Sequence, residues 1–393
     1  MIEKVVIRME DLKRCFIEQF GEQGGLTSYF APARVNLIGE HTDYNGGHVF
    51  PCALTLGTYA VARRREDRTI RLYSMNFEGT GVVEVQIDKL RFAEHHDWAN
   101  YPKGVAAIFQ EAGYEFTSGF DVAFYGNIPN GAGLSSSASI EMVTAVMLKD
   151  LFHLQIDQIE MVKLSQKAEN EFIGVNCGIM DQFAIGMGKK NHAILLDCDT
   201  LAYQYTPINL KNEKLILANT NKRRGLANSK YNERRQQCEA ALSSLQEKLD
   251  IESLGDLTRE EFEAYKQLIP DALVRKRAKH AVYENSRTIE AVQKLNAGDV
   301  TGFGKLMNES HISLRDDYEV TGKELDVLVE AAWNEGAIGS RMTGAGFGGC
   351  TISIVPDDRI DSFIEEVGKT YNAETGLEAE FYVVDIGDQA KKL

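Results

Sequence analysis

The spacing of apolar and polar positions sorts the chain into alternating and helical stretches. Val5 to Phe20 carries Ile7, Leu12, Phe16, Ile17 and Phe20 on or near one stripe, which predicts an amphipathic helix. Thr69 to Ser74, Val82 to Ile87 and Phe120 to Tyr125 alternate as strands, with a helix expected over Pro102 to Ala112. The charge run Arg63 to Glu66 reads as a solvated strand end. From Ile140 to Phe152 the apolar residues Met142, Val143, Val146, Met147 and Leu151 recur at helical spacing, and a second helix is expected over about Asp157 to Phe172, with Glu160, Lys163, Lys167 and Glu169 on its polar side. His192 to Leu196, Ala202 to Ile208 and Lys214 to Asn219 return to strand character. Beyond Thr220 long helices dominate: Leu226 to Leu249, basic at its start (Lys222, Arg223, Arg224), then Ala272 to Leu295, Thr301 to Asp316 and Lys323 to Glu335. A strand at Cys350 to Val355, a helix at Ile360 to Tyr371 and a strand at Glu380 to Ile386 follow. The change of character near Tyr205 to Lys211 is the expected domain boundary, dividing the chain into 1–207 and 208–393, and the length suggests two domains or three.

Three stretches break this regularity. Asn127 to Ser139 places Gly131, Gly133 and a run of serines between a strand and a helix. Glycines let backbone approach an anion closely, hydroxyls add donors, and a helix start offers unpaired N–H groups and a positive dipole end. A Ser-rich N-cap on a buried helix is the alternative, but two glycines and four serines from Gly131 to Ser139 exceed what a cap needs. It is no Walker A loop, since no Lys-Ser/Thr pair ends it; Gly368-Lys369-Thr370 imitates that ending, but Phe363 stands where the motif needs its first Gly. The second stretch, Ala31 to Gly47 in a loop-rich passage between short strands, gathers Arg34, Glu40, His41 and Asp43, and reads either as a cleft for a polyhydroxylated ligand or as a solvated loop with a surface ion pair. The third, Ile338 to Cys350, satisfies G-x-G-x-x-G at Gly344, Gly346 and Gly349, yet it runs into a strand where a dinucleotide fingerprint opens a helix. A tight loop on which another segment or a ligand sits closely is expected there. Asp181, alone in the weakly polar run Gly174 to Phe183, is either a turn or cap residue or a carboxylate aimed into a cleft.

Composition narrows the partners. Of 393 residues, 43 are Lys or Arg and 58 are Asp or Glu, a net −15 that argues against a nucleic-acid or anionic-membrane partner, so an anionic ligand needs a local positive site. The six scattered cysteines show no C-x-x-C and no His at metal-ligand spacing, and a reducing cytoplasm is their simplest account. Met1 to Gly21 mixes charges with apolar residues, so neither signal peptide nor anchor is expected, and no stretch reaches the length of a membrane span.

Arg34 to Asp43, Gly131 to Ser139 and Gly344 to Gly349, in this order, resemble the three motifs of the GHMP kinases through nearly the whole chain. Within that family Gly39-Glu40-His41-Thr42-Asp43-Tyr44 and Cys177-Gly178-Ile179-Met180-Asp181-Gln182 resemble the members that phosphorylate galactose; Ala33, where those members often carry Gly, departs from the pattern. The resemblance implies an N-terminal α/β domain with a left-handed β-α-β unit, a C-terminal ferredoxin-like domain and an active site between them. It implies that Glu40, His41, Thr42, Asp43, Gly178, Asp181 and Tyr231 bind the sugar, and that Gly131, Ala132, Gly133, Leu134, Ser135, Ser136 and Ser137 wrap the phosphates of ATP. Ser137 and Glu169 would hold magnesium, and the third motif would support the phosphate loop. Asp181 would take the proton of the anomeric hydroxyl, with Arg34 beside it favouring the carboxylate and the oxyanion. The expected activity is ATP-dependent conversion of galactose to α-galactose 1-phosphate by a cytoplasmic monomer. Its rivals are a kinase for N-acetylgalactosamine or another GHMP substrate, and a sugar sensor without turnover; a sensor could lose Asp181, Arg34 or part of the serine run, and all are present.

Overall fold

The computed structural model describes residues 9–22, 24–129, 132–222 and 227–393. The expected helix from Val5 is therefore described only from Met9, and Arg223, Arg224, Leu226 and Gly131 lie outside the described residues. Lys222 is described, and it pairs with Glu324 at 2.7 Å.

The first domain is built on helix α1 (Met9–Phe20) and strands β1 (Thr27–Asn36), β2 (His48–Val49), β3 (Pro51–Arg64), β4 (Thr69–Ser74), β5 (Val83–Gln86) and β6 (Phe120–Gly126), with α2 (Asn100–Glu111) crossing between β5 and β6. Helices α3 (Ser136–Phe152), α4 (Gln158–Lys167) and α5 (Met180–Gly186) follow, then strands β7 (His192–Asp197) and β8 (Tyr203–Pro207), which form a small sheet with β2. In the main sheet β1, β3 and β6 run antiparallel in that order, and β4 lies parallel to β6 with β5 at the edge. One face is covered by α2 to α5 around Ile70, Leu72, Val122, Phe124, Met142 and Met147; α1 closes the other through Leu12, Phe16 and Phe20 on Val61, Tyr73 and Ala123. Leu12, Phe16 and Phe20 of the expected stripe are buried as the periodicity predicts, whereas Ile17 is exposed and Ile7 lies outside the described residues.

The charge run Arg63 to Glu66 is a solvated strand end at Arg64 and Glu66, but not at Arg63. Arg63 is buried and donates to the Phe20 and Gly21 carbonyls at 2.5 and 2.8 Å, where a cation suits the end of α1. Asp121, fully buried on the paired strand, accepts from Arg63, Arg65 and Arg71 at 2.7 to 3.0 Å. A charge run hides its burial when its counter-ion is distant in sequence.

The second domain contains β9 (Glu213–Asn219), α6 (Ala227–Gln246), α7 (Arg259–Tyr265), α8 (Ala272–Asn296), α9 (Val300–Ser313), α10 (Lys323–Asn334), β10 (Gly339–Thr343), β11 (Cys350–Pro356), α11 (Ile360–Thr375) and β12 (Glu380–Val384). Its sheet is antiparallel in the order β10-β11-β9-β12, so its first strand lies between its third and fourth as in ferredoxin-like folds. Strand β10 was not expected: its residues Gly339 to Thr343 are part of the glycine-rich stretch, and only Gly344 to Gly349 form the loop. Helices α10 and α11 pack on one sheet face. The other face joins Leu37, Phe50 and Leu54 of the first domain to Leu217, Ile352 and Phe303 of the second in one core. A short strand β13 (Lys391–Lys392) returns to the first domain and pairs with β1 through Tyr29 and Phe30. Among the described residues no helix is long and apolar enough to cross a membrane.

Candidate active site

A cavity of about 700 Å³ opens between the domains, lined by the loop after β1, the turn before α3, the residues before α5, the start of α6 and the β10–β11 loop. The three sequence motifs therefore meet at one place. Of the expected residues, Arg34, Glu40, His41, Asp43, Ala132, Gly133, Leu134, Ser135, Ser136, Ser137, Glu169, Gly178, Asp181 and Tyr231 line it. Thr42 does not: fully buried, its hydroxyl lies 2.8 and 2.7 Å from the Gly39 and His48 carbonyls, shares its one proton between them and shapes the turn.

Arg34 lies just past a register shift in the β1–β3 ladder between Pro32 and Arg34, and a bulge of this kind re-aims a side chain. Its Nε and Nη2 reach the two oxygens of Asp181 at 2.7 and 2.8 Å, a bidentate pair, and Nη1 donates to the Gly133 carbonyl at 2.8 Å. Burial works against the guanidinium charge but Asp181 outweighs it, so the pKa of Arg34 rises. Asp181 stands in the first turn of α5, and the Ser135 hydroxyl donates to it. Ser135 caps α3 with φ of 61° and its side chain makes no cap bond, so that hydroxyl is given to Asp181 while the first N–H groups of α3 remain for an anion. Gly344 of the third motif approaches this turn so closely that a Cβ on it would lie 3.3 Å from the Gly133 carbonyl.

On the other side, Glu40 is buried with its carboxylate 2.7 Å from Arg341 Nη2; burial raises its pKa and Arg341 opposes the rise. Asp43 is pushed up to about 7, by burial first and then by Asp181 and Glu40. Its carboxylate fits against Gly178, where a Cβ would sit 2.1 Å from Oδ2. His41 is pushed down to about 3 by burial and by the neighbouring His280, so its ring is neutral. The ring packs 4.9 Å from Tyr318 and 5.6 Å from Tyr231 of the second domain, and Nδ1 lies 2.8 Å from the Tyr44 hydroxyl, which bonds on to Tyr318 at 2.8 Å.

Behind the serine turn, Glu169 sits in a single π-helical turn, Ala168–Ile173, that continues α4. The Gln182 amide donates to Glu169 at 2.6 Å and to Glu141 at 2.9 Å, and Ser137 beside Glu169 favours its charged form. Burial, and then Asp181, raises the pKa of Glu169; Glu141, fully buried, is raised well above the usual range by burial and then by Glu169. Among the described residues there is no group of three His, Cys, Asp or Glu side chains able to hold a metal ion. Glu169 and Ser137 nonetheless offer hard oxygen donors in a pocket crowded with acidic groups. That suits magnesium, which takes one or two carboxylates and fills its remaining positions with phosphate and water oxygens.

Sequence reasoning missed Arg341, Glu141 and Gln182. Glu141 had a faint signal, as one acid inside the apolar start of α3, whereas Arg341 sits in a strand that reads as loop composition and Gln182 in a weakly polar run. A charge where the pattern demands an apolar residue marks a buried partner.

Two domains clasping a cavity between a glycine-serine turn and a carboxylate-rich loop define a small-molecule kinase of the GHMP class. The family descriptions agree: GHMP kinases N terminal domain matches residues 100–189 and GHMP kinases C terminal matches 289–373, while the galactokinase galactose-binding signature matches 14–64. A galactokinase from Fusobacterium nucleatum is 62% identical over 98% of this chain and 100% of its own, and one from Bacillus subtilis is 59% identical over 98% and 99%. The crystal structure of Lactococcus lactis galactokinase complexed with galactose superposes with a TM-score of 0.96 at 50% identity, covering 98% of this chain and 99% of that one. Methanococcus jannaschii mevalonate kinase, at 20% identity and a TM-score of 0.66 over 93% of this chain and 100% of its own, shares the fold. The chain belongs to the galactokinase family.

Proposed function

We propose that this enzyme transfers the γ-phosphoryl group of ATP to the anomeric hydroxyl of D-galactose, giving α-galactose 1-phosphate, with 1–207 and 208–393 as its two domains. The observation that carries the reading is the bidentate Arg34–Asp181 pair, set between the serine turn and the Glu40–Asp43 loop in one cavity. Phosphoryl transfer asks little covalent chemistry of a protein; it asks for alignment of the two substrates and neutralisation of developing charge. In this reading Glu40, His41, Asp43, Gly178 and Tyr231 hold the sugar, with Thr42 fixing the turn that carries them. Asp181 accepts the proton of the anomeric hydroxyl as its oxygen attacks the γ-phosphorus, the bond from that phosphorus to the β-phosphate oxygen breaks and ADP leaves, and Arg34 balances the charge on the sugar side. The turn from Gly131 to Ser137 and the start of α3 hold the phosphates, and Ser137 and Glu169 would hold magnesium. When bound, the metal supplies positive charge to the transferring phosphoryl group.

The test is phosphoryl transfer from magnesium-ATP to galactose, N-acetylgalactosamine, glucose, mevalonate and homoserine, with the product position assigned by phosphorus NMR. Galactose-dependent product with phosphate on the anomeric oxygen is expected. Preference for another acceptor would move the substrate, and binding of galactose and ATP without product would replace the kinase reading with a sensor.

A further inference from the structure

The loop that carries Glu40, His41 and Asp43 belongs by sequence to the first domain, yet it is fastened to the second. Helix α8 presents His280, Glu284 and Asn285 toward it, at spacings that share one helical face. Glu284 is fully buried; one carboxylate oxygen accepts the N–H groups of Gly39 and Glu40 at 3.1 and 3.3 Å and the Ser310 hydroxyl at 2.5 Å, and the other accepts Arg287 at 2.8 Å. His280 Nε2 donates to the Glu40 carbonyl at 3.1 Å, and Asn285 accepts the His48 N–H at 2.8 Å. Arg341 of β10 completes the set, 2.7 Å from the Glu40 carboxylate, with its Nη1 donating to the Asn36 carbonyl at 3.1 Å. The N–H, the carbonyl and the carboxylate of Glu40 are thus each held by a residue of the second domain. Gly39 permits the approach: it has φ of +93°, and a Cβ there would lie 2.7 Å from the His48 carbonyl and 2.8 Å from Thr288 Oγ1.

A buried carboxylate is expensive to bury and is a weak source of stability even when fully partnered; fixing a geometry is the use that suits it. Burial opposes the ionisation of Glu284, but the neighbouring Arg287, His280 and Arg341 outweigh it and bring its pKa down to about 2, so the Glu284 carboxylate is charged in the working pH range, while burial pushes His280 down to about 4 and leaves its ring a neutral donor there.

We infer that Glu284, with His280 and Arg341, is a positioning residue for the sugar site, fixing Glu40 from behind so that sugar affinity and selectivity are set by the second domain. This rests on the reading that Glu40 holds sugar hydroxyls. A site preassembled in this way spends no binding energy on ordering its own loop, whereas a loosened one loses alignment of the reacting hydroxyl as well.

The experiment compares Glu284→Gln, His280→Phe and Glu40→Gln with the parent enzyme. It measures kcat and KM for galactose and for ATP, kcat/KM for N-acetylgalactosamine and glucose, and the thermal midpoint. His280→Phe keeps a ring of similar shape without the donor, and it decides the matter if Glu284→Gln does not fold. Expected for both positioning variants is a loss of about 10- to 100-fold in kcat/KM for galactose, mainly through KM. The ATP KM should stay within about twofold of the parent, and the ratio of galactose to analogue turnover should shrink. A lower thermal midpoint with unchanged galactose KM, or equal changes in both KM values, overturns the inference. If Glu40→Gln itself leaves galactose KM unchanged, the sugar role of Glu40 falls and the inference with it; if only Glu40→Gln raises it, the role stands and the positioning claim alone fails.

Discussion

Asp181 and Asp43 are carboxylates lining one cavity, and their surroundings differ in kind. Asp181 faces a buried cation and a hydroxyl, whereas Asp43 faces burial and two other acids. Asp181→Asn preserves the shape and removes the base, so kcat should fall by about 10²- to 10⁴-fold while calorimetric affinities for galactose and ATP stay near the parent values. Near-normal turnover would remove Asp181 from its role. For Asp43 the sign follows from its pKa of about 7: below that pH it is largely protonated, and above it the carboxylate accepts sugar hydroxyls with full charge. Galactose affinity should therefore strengthen as pH rises from 6 to 8, and Asp43→Asn should flatten that part of the profile; a parent profile that is flat or inverted contradicts it. These residues were legible in the sequence because each stands out against its surroundings, Asp181 as one acid in a weakly polar run. Their pairing was not legible from pattern, since Arg34 and Asp181 meet only through a strand bulge and a helix start far apart in the chain.

At the scale of elements, the site depends on turns whose shape excludes a side chain. Gly178→Ala would drive a methyl group onto the Asp43 carboxylate, so galactose KM should rise by at least about tenfold with the ATP KM little changed, whereas unaltered sugar kinetics would show that Asp43 has room to move. Gly346 has φ of +79° and a Cβ would come 2.2 Å from the Val320 carbonyl; Gly346→Ala should cost at least about 2 kcal/mol in urea unfolding, from backbone strain and overlap together. Most helices and strands fell close to their expected spans because amphipathic periodicity survives local irregularity. Helix α4 illustrates the limit: the expected helix to Phe172 is α-helical only to Lys167 and π-helical through Ile173, and it is this irregular turn that carries Glu169. Strand β10 escaped notice because Gly339 and the glycines after Thr343 make one continuous loop-like composition, whereas its pairing with β11 is set by tertiary contacts.

For the whole molecule, the two domains share a core and share the sugar loop, so neither is closed without the other. Strand β13 adds a third tie: Lys392 pairs with Asp150 at 2.9 Å, Asp150 accepts the Tyr29 hydroxyl at 2.7 Å, and the Leu393 N–H donates to the Ser28 carbonyl at 2.9 Å. Deleting residues 387–393 should lower stability by about 2 to 4 kcal/mol and increase aggregation during refolding, because the edge of β1 loses its cover. Unchanged unfolding and aggregation would show that the edge is protected in another way. The shift toward long helices after Thr220 is visible in the sequence pattern, but this return is not, since two lysines, Lys391 and Lys392, carry no strand signal. It has a consequence for synthesis. Domains commonly fold in the order in which they emerge from the ribosome, but here β1, which carries Arg34, waits for residues 391 and 392 before its outer edge is occupied. A nascent chain interrupted before that point has every described cavity-lining residue already translated, yet the outer edge of β1 at Tyr29 and Phe30 still lacks its strand partner, an open edge on which another chain can pair.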